Sequence, residues 1–83
     1  MKLVLSVVLK RQADNLVRLT GLCYRRGVAI ESLSYSTASQ TGEVQFRAVL
    51  ACGRLTADQL HRQVSNLIGV VGAEIAPYSD GGM

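Results

Sequence analysis

The apolar residues of this chain change period several times between Leu3 and Ile75, and the order of the changes leaves few folds open. Leu3 to Leu9 is a β-branched and aliphatic run broken only by Ser6, a pattern that suits a central strand packed on both faces. From Asp14 the period lengthens. Leu16, Leu19 and Cys23 fall at i, i+3 and i+7, with Leu22 widening the stripe, which marks a helix with one buried face. Asp14 is placed to N-cap it, and Gly27, following Arg25-Arg26, is placed to end it. Gly21 in mid-helix costs about 1 kcal/mol relative to alanine, a cost that close approach to a sheet would explain.

Val28 to Tyr35 reads as a second strand and Val44 to Ala51 as a third, joined by a loop, Ser36 to Gly42, rich in Ser, Thr, Gln and Gly. In the third strand Val44, Phe46, Ala48 and Leu50 alternate with Gln45, Arg47, Val49 and Ala51, as expected of an antiparallel strand with one drier face. Thr56-Ala-Asp-Gln59 has the form of a capping box and predicts a second helix from Thr56. Leu60, Val64, Leu67 and Ile68 supply its apolar stripe and Gly69 its end. Val70 to Ile75 is a last strand, and residues 78–83 form a disordered tail beyond a single domain at 1–77. The order is β-α-β-β-α-β. With right-handed crossovers it gives an α+β, ferredoxin-like fold: a four-stranded antiparallel sheet with two helices on one face and the other face uncovered.

A chain of 83 residues buries only about 60% of the surface that its unfolded state exposes. Yet 48% of these residues are hydrophobic, with no Trp and one Phe, so the core is aliphatic and some apolar surface is expected to pack against another subunit. The formal charge of +3 comes from nine scattered Lys and Arg, with only Lys10-Arg11 and Arg25-Arg26 adjacent, which is a solvated surface rather than a nucleic-acid stripe. RNA-recognition motifs share the element order, but they stack bases on aromatics of the central strands. Here the first strand has no ring and the third offers only Phe46, on the face expected inward. Cys23 and Cys52 suit a reduced, cytoplasmic setting, and with one histidine they have no metal-site spacing. Met1 to Leu9 lacks a cleavage site and is too short to span a membrane.

Catalysis has little support in the sequence. His61 has no neighbouring nucleophile and reads as a solvent-facing or half-buried helix residue. Glu31, Glu43 and Glu74 lie on separate strands, and Cys23 holds a core position, which favours a packed thiol. No phosphate-cradling glycine loop is present in the sequence.

The segment Arg18-Leu-Thr-Gly-Leu-Cys-Tyr-Arg-Arg-Gly-Val-Ala-Ile-Glu-Ser-Leu33 carries more information. It resembles the ACT domain of small, regulatory subunits of acetolactate (acetohydroxyacid) synthase. Their pattern is Arg-Val-x-Gly-Leu-Phe-x-Arg-Arg-Gly-Phe-Asn-Ile-Glu-Ser-Leu. Arg18, Gly21, Leu22, Arg25, Arg26, Gly27, Ile30, Glu31, Ser32 and Leu33 match it. The likeness extends more loosely over residues 3–75, through Leu3–Leu9 and Leu60-His-Arg-Gln-Val-Ser-Asn-Leu67.

The resemblance implies a non-catalytic subunit that pairs with itself through side-by-side sheets. The pair docks on the large, thiamine-diphosphate-dependent catalytic subunit and activates it in branched-chain amino-acid biosynthesis. Thiamine diphosphate, magnesium and FAD would belong to that partner, with no cofactor or metal in this chain, and no nucleic acid or membrane as partner. Arg18, Arg25, Arg26 and Glu31 become docking candidates, set against plainer readings: a solvated helix end for the arginine pair, and for Glu31 a nearby arginine as ion-pair partner. Gly21 and Gly27 read as packing and capping residues.

The effector site of valine-sensitive relatives maps to Arg11, Gln12, Ala13, Asp14, Asn15, Ala29 and Ile30, in degenerate form. Where those relatives have Asn-x-Pro-Gly this chain has Arg11-Gln-Ala-Asp14, and Ala29 stands at their asparagine. Asp14 adds bulk and negative charge where an amino acid would approach, so valine binding is expected to be weak or absent and the subunit to be of the short, feedback-insensitive kind. The alternative is a stand-alone ACT module that senses another amino acid or transduces a signal.

Overall fold

The computed structural model describes residues 2–11, 14–38 and 42–78. Six elements follow the expected order: β1 (Lys2–Lys10), α1 (Asn15–Arg25), β2 (Ala29–Ala38), β3 (Glu43–Ala51), α2 (Arg54–Ser65) and β4 (Val70–Pro77). The sheet runs β2-β3-β1-β4, and every neighbouring pair is antiparallel. β1 is central, as its aliphatic run predicts. Leu3, Leu5, Val7 and Leu9 of β1 pair with Leu50, Ala48, Phe46 and Val44 of β3, and all eight are buried. Leu19, Leu22 and Cys23 of α1 and Leu60 and Val64 of α2 close over the same surface, so both helices lie on one face of the sheet. α1 packs beside β2 and α2 against β4.

Several expectations are corrected by the structure. β1 is covered on one face only, because Val4, Ser6 and Val8 remain half-exposed on the other. Its aliphatic run therefore does not report two-sided burial. β2 continues to Ala38 and β4 to Pro77, each beyond its expected end. α2 begins at Arg54 with extended Gly53 as its N-cap, so Thr56 lies inside the helix and caps nothing. It ends at Ser65, four residues before Gly69, and Ile68 beyond its end is exposed instead of joining the apolar stripe. Asp14 does occupy the N-cap position of α1, but its carboxylate makes no capping bond. A Cβ added to Gly21 would meet nothing nearer than Arg25 Nη1 at 3.7 Å, so no close approach to the sheet demands that glycine.

The end of α1 follows expectation. Gly27 has φ of +69°, its N–H donates to Tyr24 O (3.1 Å), and Val28 N–H donates to Cys23 O (2.9 Å). This is a Schellman motif, and it turns the chain directly into β2. Tyr78, the first residue of the expected tail, donates its N–H to Lys2 O (3.1 Å), and residues 79–83 lie outside the described residues. Among the described residues no helix is long and apolar enough to cross a membrane.

Candidate functional site

The strands and helices set the degenerate effector residues at opposite ends of the sheet. Arg11 follows the end of β1, its N–H donating to Gly42 O (3.1 Å) and its side chain exposed. Gln12 and Ala13 lie outside the described residues. Asp14 pairs with Arg18 one helical turn on (2.7 Å), both side chains about half exposed. Asn15 is buried, and its Nδ2 donates to the carbonyl of Lys10, clamping the start of α1 to the end of β1. Ala29 and Ile30 open β2, opposite Ala51 and Leu50, and Ala51 in turn faces Lys2. Ala29 and Ile30 therefore sit roughly 25 Å from the Lys10 end, at about 3.3 Å per strand residue. One chain does not bring the two groups together.

The docking candidates are spread over two elements. Arg18 is committed to Asp14, and its guanidinium offsets the charge that Asp14 brings to the loop, leaving bulk as that residue's chief obstacle to a ligand. Arg25 is exposed and folds back along α1 over Gly21. Arg26 Nε donates to Gln63 Oε1 (2.8 Å), tying the end of α1 to α2. Glu31 takes its ion pair from Lys2 Nζ (3.1 Å), so the cation is a lysine of the central strand and not an arginine.

Sequence reasoning missed the exposed apolar residues. On α1, Val17 and Tyr24 are 70% and 84% exposed and share one stripe with Gly21 at i, i+4 and i+7. On β2, Leu33 and Tyr35 pair with Ala48 and Phe46, so they stand on the helix-covered side of the sheet. Both are nevertheless exposed, because the helices stop short of this outer strand. The signal was present in Tyr24 and Leu33, both inside the segment that carries the family resemblance.

Groups with chemical potential are occupied or shielded. His61 is half-buried and donates from Nε2 to Ala73 O (2.9 Å), joining α2 to β4. Burial pushes the Cys23 thiol above its ordinary range, with the nearby Cys52 adding to the shift against an opposing backbone hydrogen bond. Cys52 is raised by burial as well, so both side chains are neutral thiols at neutral pH. Among the described residues no group of three or more His, Cys, Asp or Glu could hold a metal ion. Phe46 points inward as expected, and the open sides of β1 and β3 carry Val4, Ser6, Val8, Gln45, Arg47 and Val49, with no ring to stack a base.

No family model matches the chain. Among solved structures it is similar to the acetolactate synthase small subunit from Thermotoga maritima, with 19% identity and a TM-score of 0.78 over 90% of this chain and 47% of that one. The ACT domain of GTP pyrophosphokinase from Chlorobium tepidum has 12% identity and a TM-score of 0.76, over 92% of this chain and 97% of that domain. Formyltetrahydrofolate deformylase from Burkholderia mallei has 18% identity and a TM-score of 0.76, over 93% of this chain but only 28% of its own length. At these identities the likeness is one of fold, and the fold is that of ACT domains.

Proposed function

We propose that this chain is the regulatory, activating subunit of an acetolactate synthase. In this reading it pairs with itself side by side and binds the thiamine-diphosphate-dependent catalytic subunit in the cytoplasm. The proposal draws on the Arg18–Leu33 motif and on a fold shared with one such small subunit. The observation that carries it is the outer strand β2, whose Leu33 and Tyr35 are exposed on the side of the sheet that should be dry. Antiparallel pairing of two β2 strands would cover that strip. It would also bring Ala29 and Ile30 of one copy towards the Arg11–Asn15 loop of the other, assembling the effector set that one chain leaves divided.

Activation follows from differential binding. A subunit that holds the active form of its partner more tightly than the inactive form shifts the population towards activity by its difference in affinity. Thiamine diphosphate, magnesium and FAD are assigned to the partner. The test is acetolactate formation by the catalytic subunit with and without this chain, and with added valine. Activity is expected to rise at least severalfold on adding the chain and to stay unchanged with valine. No rise with a co-purifying catalytic subunit sinks the proposal, and strong valine inhibition sinks its insensitivity. The second reading, an ACT module of another pathway, is favoured by the match to nearly the whole of an ACT domain from a different enzyme. A rise in acetolactate formation excludes it.

A further inference from the structure

The chain forms a slab of 34 × 31 × 17 Å, and one of its two broad faces is open sheet. Strand register arranges that face as a grid. The central row runs Ser34, Arg47, Ser6, Glu74 across β2, β3, β1 and β4. On one side of it lie Val49, Val4 and Ala76; on the other, Gln45, Val8 and Gly72. Side chains around the centre are small, and a shallow concavity of about 500 Å³ opens over Val4, Ser6, Arg47, Val49, Glu74 and Ala76. Arg47 and Glu74 are both exposed, flank Ser6 at roughly 10 Å from each other by strand spacing, and neither joins an ion pair among the described residues. The face thus carries a positive pole on β3 and a negative pole on β4, one strand to either side of β1.

We propose that this face is a self-complementary interface on which a second copy of the chain stacks, about a two-fold axis parallel to β1. That axis exchanges the positions of β3 and β4. It lays Arg47 of each copy over Glu74 of the other, Val49 over Ala76, and Val4 and Ser6 over themselves. A two-fold axis perpendicular to the strands would instead set Arg47 on Arg47 and Glu74 on Glu74, so the charges select one orientation of the two. Stacked sheets sit about 10 Å apart with strands within about 30° of alignment, a gap that small central side chains fill and that Arg and Glu span from either side. The axis along β1 overlaps β3, β1 and β4 of the two copies and leaves β2 outside, so three strands at about 4.8 Å by some eight residues cover on the order of 400 Å² per copy. Both copies together cover on the order of 800 Å², the size of a weak, reversible interface. The apolar rows supply the burial, and the two poles fix the register. This surface is distinct from the β2 edge and needs no catalytic partner, so it is tested separately from the proposed activity.

Charge reversal of the full-length chain, followed by sedimentation, reads the proposal directly. R47E makes both poles acidic and E74R makes both basic. Each variant alone is expected to weaken stacking at least tenfold and to reduce the largest assembly to the edge-paired form, with circular dichroism unchanged. The two variants mixed one to one are expected to restore it, because an acidic face then meets a basic one; R47E/E74R in a single chain is expected to restore it as well. The proposal is overturned if the wild-type chain shows no association beyond edge pairing at tens of micromolar. It is overturned equally if the single reversals leave the mass unchanged, or if neither the mixture nor the double variant recovers it. Reversals that abolish activation of a catalytic subunit without changing the mass would assign the face to that subunit and overturn it too.

Discussion

At the scale of single residues, the instructive contrast is between Cys23 and Asn15. Cys23 falls on the apolar stripe of α1, and both its packing and its upward-shifted thiol follow from that spacing. Asn15 is as deeply buried, yet an asparagine at the start of a helix reads as surface. Its burial depends on where Lys10 O ends up after β1 finishes, which is a tertiary fact. The amide satisfies that carbonyl and holds the β1–α1 junction together. N15A removes the donor and leaves the carbonyl under-satisfied in a partly buried site. A loss of about 1–3 kcal/mol is expected in urea unfolding. A variant as stable as the parent chain would mean that water replaces the amide without cost. The Asp14–Arg18 pair works differently: both groups are half in water, and its consequence is for the loop's charge, not for stability.

At the scale of elements, period and order were readable, and boundaries were readable only where the backbone demanded a particular residue. Gly27 is such a case. A left-handed φ closes the Schellman motif, and no Cβ-bearing residue adopts it freely. Thr56-Ala-Asp-Gln59 has capping-box chemistry, but the helix has already begun two residues earlier, with Gly53 as its cap. A local motif describes what a segment could do, and the approach of α2 to β4 decides where the helix starts. Thermal unfolding separates the two glycine–threonine readings. G27A is expected to cost about 1–2 kcal/mol through left-handed strain, while T56A stays within about 0.5 kcal/mol of wild type, since alanine is the better helix former. A T56A loss as large as that of G27A would restore the capping box. Register, too, is an element-scale property that the sequence hides. Arg47 and Glu74 become opposite poles about Ser6 only once the β1–β3 and β1–β4 pairings are known.

At the scale of the whole molecule, aliphatic excess in a short chain pointed to association, and the structure locates the surplus. The helices cover β3, β1 and β4 but leave the outer half of β2 bare, with Leu33 and Tyr35 on its helix side. An exposed strand edge of this length invites pairing, and it carries no lysine or proline along Glu31–Ser36 to prevent it. Antiparallel pairing of β2 with its own copy keeps like faces together when the two-fold axis passes through Ser34, which sets Leu33 of each copy opposite Tyr35 of the other. The two copies of Leu33 then lie within about 8 Å of one another, the separation of diagonal neighbours across a strand pair. L33K puts two ammonium groups beside that axis and removes apolar area from both copies at once, while a lone chain tolerates a lysine at a half-exposed edge position. Edge pairing is expected to weaken at least tenfold in sedimentation, with far-ultraviolet circular dichroism unchanged and activation of the catalytic subunit lost in parallel. L33K that pairs as tightly as the parent chain would remove β2 as the pairing edge. L33K that stays unpaired yet still activates fully would show that one copy suffices for the regulatory role.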